Sequence, residues 1–153
     1  MNIQLQLMKV YSNRFLQTPE EISEFEVALE QLISGGDTSL ISDLCKVFED
    51  GTENHEVMFS LVHSVEFLYK KNLEEGLKLI AIAVPKVIFN AKEWMEVIHY
   101  RILNHPEVRL VYGKVLSKID LSIRLQIIDL LNDIKNEDPD MFGNSVDEVM
   151  MKI

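Results

Sequence analysis

The sequence predicts an all-α protein, built either of stacked antiparallel helical hairpins in the manner of HEAT or armadillo units or as an irregular helical bundle. Three observations carry this expectation. Apolar residues recur at spacings of three and four along most of the chain. No segment alternates apolar and polar residues with period two for long enough to make a strand. Six Gly and four Pro in 153 residues leave little material for the turns of a many-stranded sheet. Residues 1–153 are expected to form a single α-helical domain, with 47% hydrophobic and 26% charged residues typical of a globular chain.

Residues 2–16 read as an N-terminal helix. Thr18-Pro19-Glu20-Glu21 is a capping box: Thr18 can accept the N3 amide, Pro19 has the φ suited to N1, and Glu21 can reach back to Thr18. Ile22, Phe25, Leu29, Leu32 and Ile33 then form one stripe, and Ser34-Gly35-Gly36 should stop the helix through residues that tolerate left-handed geometry. Asp37 or Thr38 caps the next helix, with Leu40, Ile41, Leu44 and Phe48 facing inward. Residues 57–69 are apolar almost all round and predict a central, buried helix. A helix over 73–88 should break or kink near Pro85. Asn90 is placed to cap the next helix, with Glu93 at N3. Pro106 opens another helix and Asp120 caps one more. Asp138-Pro139 reads as a short turn, followed by a terminal helix capped by Asn144 or Ser145. The triplets L-V-H at 61–63, V-I-H at 97–99 and I-I-D at 127–129, which lie 36 and then 30 residues apart, suggest the repeat behind the stacked-hairpin reading.

Charge is concentrated. From Thr18 to Glu56 there are eleven acids and one base, and the remaining 14 acids and 14 bases cancel, so one quarter of the chain carries the net charge of −10. Such a patch repels nucleic acid and anionic membranes and favours a basic partner. No run approaches the roughly 20 apolar residues of a membrane span, and the N-terminus lacks the features of a signal peptide. Cys45 is alone, which excludes an intrachain disulfide and fits a reducing cytoplasm.

The stretch N-A-K-E-W-M-E-V-I-H-Y-R-I-L-N (residues 90–104) invites a chemical reading, because Glu96 and His99 have the Glu-x-x-His spacing of bundle metal sites. Such sites need a second pair and further carboxylates, and the sequence supplies one pair. No H-E-x-x-H, EF-hand loop, paired Cys, nucleophile elbow or phosphate-binding glycine loop occurs. Cys45 sits beside an apolar stripe and reads as core. The expectation is no catalytic residue, no metal and no cofactor. What remains is a surface. Trp94, Met95, Ile98 and Ile102 should face inward, leaving Glu93, Glu96 and Tyr100 together on the outer face and His99 as a hydrogen-bonded packing residue. Glu49, Asp50, Glu53 and Glu56 surround the turn at Gly51. These seven residues, Glu49, Asp50, Glu53, Glu56, Glu93, Glu96 and Tyr100, are the expected partner-binding site. Asp50, Glu53 and Glu56 should tolerate charge reversal, as exposed turn positions do.

Residues 19–142 resemble the all-α immunity protein family thirty of bacterial polymorphic toxin systems. The likeness rests on E-E-I-S-E-F-E-V-A-L-E-Q-L-I, D-L-C-K-V-F-E-D-G-T-E-N-H-E-V-M-F-S-L-V-H-S-V-E, the 90–104 stretch and L-L-N-D-I-K-N-E-D-P-D-M-F. It implies a cytoplasmic, non-enzymatic protein that binds and neutralises a cognate toxin, and it transfers no interface residue. With the acidic patch, the expected partner is a toxin protein with a basic surface, not nucleic acid or a membrane. The alternative is a helical-repeat adaptor for another protein; a metal-dependent bundle enzyme ranks third.

Overall fold

Caps set by neighbouring residues start most of the helices in the computed structural model, which describes residues 1–153 and is all-α. In α1 (Ile3–Ser12) the Asn2 side chain accepts the Leu5 amide at 3.1 Å. In α2 (Pro19–Gly35) Thr18 accepts the Glu21 amide at 3.1 Å with Pro19 at N1, as the capping box requires. Glu21 returns to the Thr18 hydroxyl at 3.3 Å instead of its amide. Gly36 ends α2, but at φ −98°, not in the left-handed region. Space is the reason for glycine here: a Cβ would lie 2.1 Å from Leu40 Cδ1 and 2.5 Å from the Leu32 carbonyl. The one non-glycine residue at positive φ is Leu16 (φ 52°), a buried anchor between α1 and α2.

A 3-10 turn (Thr38–Leu40) capped by Asp37 leads into α3 (Ile41–Cys45), whose Ile41, Leu44 and Cys45 are fully buried. Burial pushes the Cys45 thiol up to about 12, as befits a core residue. Asn54 caps α4 (His55–Lys71). This helix is not central as its apolar sequence suggested: Phe67 is half exposed and His63 faces solvent. The centre belongs to α5 (Leu73–Leu103), which packs against α3, α4, α6 and α7. Gly76 lets α5 approach α4, since a Cβ there would fall 2.6 Å from Tyr69 Cα.

The expected break at Pro85 does not occur. The chain stays helical through it and leaves helical geometry at Ala91 (φ −141°, ψ 31°). A distant residue accounts for the position. The Asp50 amide donates to the Asn90 carbonyl (2.9 Å), and its carboxylate accepts the amides of Glu93 (3.2 Å) and Trp94 (3.3 Å). These are the groups that a helix interruption strips of in-helix partners. Asp50, not Asn90, therefore caps the second half of α5.

Pro106 opens α6 (Pro106–Leu116) as expected. Asp120 stands at the N-cap of α7 (Leu121–Glu137) without a capping hydrogen bond; Arg124 instead ties down the preceding turn through the carbonyls of Leu116, Ser117 and Ile119. The last helix is one piece, α8 (Pro139–Met150), because Asp138 accepts the Met141 amide at 3.2 Å and Phe142 is buried. The expected turn at 138–139 with a later cap at Asn144 or Ser145 is thus corrected.

The hairpins stack. Phe59 meets Trp94 (ring centroids 6.2 Å) and Glu66 meets Arg101 (2.9 Å), both pairs 35 residues apart, so α4 and the second half of α5 run in the same direction. Lys92 reaches Asp133 (3.2 Å), 41 residues on, and Tyr100 stacks on Phe142 at 4.9 Å, placing the end of α7 and the start of α8 along the other side. Behind this wall, α6 lies on α8 through Arg109 with Glu148 and through Gly113 against Val149 and Lys152. This spacing of 35 falls one residue short of the 36 that separates the first two triplets. The third triplet was misregistered, because 127–129 lies about three turns before the positions that face 97–99.

A candidate protein-binding face

The loop of residues 49–54 is wired into the helix it covers. Trp94 is buried, with Phe48 stacked at 6.0 Å, His55 at 5.8 Å and its indole N–H donating to the Glu49 carbonyl at 3.1 Å. The Glu49 carboxylate accepts the Gly51 amide (3.0 Å) and lies 3.8 Å from Arg14. The Glu53 amide donates to the Phe15 carbonyl at 2.9 Å. Glu49 and Asp50, two of the expected docking acids, therefore have their charges engaged within the chain. The expectation that Asp50 tolerates charge reversal fails for the same reason. Asp50→Ala should destabilise the fold by about 1–2 kcal/mol, the range of a lost N-cap. Urea denaturation checks this, and an unchanged midpoint would show that the second half of α5 needs no external cap.

Glu53, Glu56 and Glu93 are exposed. The hydrogen bond from Glu93 to Asp50 and the His55–Trp94 contact bring the starts of α4 and of the second half of α5 together, so these carboxylates share one edge of the wall. Glu96 and Tyr100 do not share the outer face of Glu93, as the helical spacing suggested. Glu96 is 9% exposed and turns toward α7, while Tyr100 is half-buried on Phe142. Burial first, then the nearby Glu137 carboxylate, push the Glu96 carboxyl above the usual range. Burial, Glu96 and Glu137 likewise raise the Tyr100 phenol. Asp133 and Glu137 thus belong to the acidic edge, and sequence reasoning missed them. Their spacing of four on α7 was a signal that they share a face. It was hidden because the 14 acids and 14 bases outside residues 18–56 cancel in sum. They do not cancel in space: Lys135 pairs with Asp147 (2.8 Å) and Arg124 is held by carbonyls. Lys92 is the base that reaches this edge, and its bond to Asp133 holds its ammonium pKa up.

The Glu96–His99 pair does not converge as a ligand pair. His99 is fully buried, its Nδ1–H donating to the Met95 carbonyl (2.6 Å) and its Nε2 accepting from the Tyr112 hydroxyl (2.6 Å). That tautomer is the one in which both nitrogens are satisfied. Burial pulls its pKa down to about 4. No three carboxylate, imidazole or thiol groups gather at metal-site spacing. No helix is long and apolar enough to cross a membrane.

A family model described as Immunity protein 30 matches residues 12–112. No curated protein and no solved structure matches the chain. The matched span runs from the end of α1 into α6 and includes all seven expected site residues. It stops before α7, so Asp133, Glu137 and the L-L-N-D-I-K-N-E-D-P-D-M-F stretch lie outside it.

Proposed function

The chain belongs to the immunity protein 30 family, and on that premise we propose that it neutralises a cognate bacterial toxin by direct protein–protein contact. In this reading it acts in the cytoplasm, without catalysis or cofactor, on a toxin made by the same or a neighbouring cell. One observation carries the choice of surface: Glu53, Glu56 and Glu93 stand exposed on adjoining segments, continued by Asp133 and Glu137 across the wall. A surface of one sign attracts a basic partner and raises its association rate. Toxins that cleave nucleic acid hold phosphates with Lys and Arg, so an acidic wall is complementary to the surface such a toxin must expose.

The test is a charge reversal that spares the capping residues. Glu53→Lys, Glu56→Lys and Glu93→Lys together should slow association with the toxin by about tenfold or more at low salt and weaken protection of cells on co-expression. Glu56 and Glu93 lie in first turns of helix, so each reversal should cost the fold at most about 1 kcal/mol. A folded triple variant that associates at the original rate and still protects would move the interface elsewhere. The next place to look is the cleft between α1 and α3, lined by Tyr11, Arg14, Lys46 and Lys86.

A further inference from the structure

We propose that Glu96 and Glu137, beside the Tyr100 ring, form a seat for a single guanidinium group presented by the partner. The inference deepens the reading of this wall as a toxin-docking surface and rests on it. Its starting point is a contrast between two carboxylates on neighbouring helices. Glu66 on α4 is 6% exposed, and Arg101 grips it with two hydrogen bonds, Nε at 3.1 Å and a terminal nitrogen at 2.9 Å. Glu96, one helix along the wall, is 9% exposed, yet it has no hydrogen bond or ion pair within the chain. Lys92, the base beside it, gives its ammonium to Asp133. None of the polar side-chain atoms that are sealed from solvent lacks a partner, so the unpaired Glu96 oxygens keep some contact with solvent. Here is a nearly buried carboxylate that no donor of the chain satisfies.

Its surroundings select the donor. Burial pushes the Glu96 carboxyl up, and Glu137, Asp133 and Glu93 add to this as like charges, against the opposing charge of Lys92. Leaving a buried charge unpaired is costly, and a cation from outside relieves it. No three ligating groups gather here as they would around a metal ion, and a planar cation with several N–H groups is the donor that can serve two carboxylates at once. Tyr100, with one side stacked on Phe142 at 4.9 Å, adds an aromatic surface against which a guanidinium can lie. A lysine ammonium offers neither the fork nor the plane.

The test uses the full chain and a small probe, N-acetyl-arginine methylamide, titrated into 15N-labelled protein at low salt. The expected result is saturable shifts of amides in 92–100 and 133–142. Glu96→Gln should weaken the probe by about tenfold, while Glu53→Gln changes its affinity less than about twofold. N-acetyl-lysine methylamide should bind the same residues at least about fivefold more weakly. Shifts spread over all surface acids, or binding that survives Glu96→Gln, would overturn the seat. Equal binding of the lysine probe would overturn its choice of guanidinium. Glu96→Gln removes like-charge repulsion and should fold normally, which circular dichroism confirms. Because the probe stands in for the toxin, a failed seat leaves toxin binding by the Glu53, Glu56 and Glu93 edge intact. A failed docking surface appears instead as toxin association untouched by the triple reversal.

Discussion

Replacing Arg101 with Ala should destabilise the protein by about 3 kcal/mol. Arg101 is about one-third exposed, but the Glu66 side chain it grips is 8% exposed and has no other cation within the same reach. Burial alone would raise the Glu66 carboxyl; the Arg101 hydrogen bonds and charge outweigh that and hold it below the usual range. Removing the guanidinium strands a charged carboxylate between α4 and α5, and breaking such pairs costs about 3–5 kcal/mol, here at the lower end because of the partial exposure. The double variant Glu66→Gln with Arg101→Met should recover most of the loss, since it removes the stranded charge. Urea unfolding distinguishes the cases. A loss under about 1 kcal/mol for Arg101→Ala would place the pair with ordinary surface ion pairs.

Acid should weaken the fold through His99. Its pKa is about 4 in the folded chain against 6.5 for the ordinary side chain. Between these values the unfolded chain binds a proton that the folded chain refuses. The stability is therefore complete above pH 6.5 and is lost progressively as pH falls to about 4, by about 3 kcal/mol in total. The refusal has a structural source: protonating Nε2 would aim an N–H at the Tyr112 hydroxyl in a fully buried site, where that hydroxyl now donates. His99→Gln, whatever its starting stability, should lose less than the parent chain over the same window. Parallel stability profiles for the two proteins would contradict the assignment. Below about pH 4.5 the Glu66 carboxylate adds a loss of the same sign, because its folded pKa is lowered and its ion pair disappears on protonation.

What was legible in the sequence was local. Thr18 and Pro106 announce helix starts because the groups they satisfy, or do without, lie within one turn. The inward stripe of Trp94, Met95, Ile98 and Ile102 follows from helical period, and all four are buried. The Pro85 signal was real but outvoted, since one missing amide is tolerated where the rest of a long helix packs on several neighbours. The break at Ala91 was invisible because its cause, Asp50, is far away in the chain. The acidic edge was half legible for the same reason. Glu53, Glu56 and Glu93 follow from the composition and from a helix face. Glu96 turns inward because α7 lies beside it, and Asp133 and Glu137 join it only through that packing. A sum of charges along the chain cannot see which bases are already engaged elsewhere.

On the proposed reading, the wall made by the start of α4, the second half of α5 and the end of α7 is the surface that meets the toxin. Amide hydrogen exchange of the chain alone, and saturated with its cognate toxin, tests this most directly. Slowed exchange in residues 49–56, 92–100 and 133–142, with residues 3–12 unchanged, is the predicted result. Protection confined to the cleft between α1 and α3, or exchange identical with and without that toxin at saturating concentration, would contradict it.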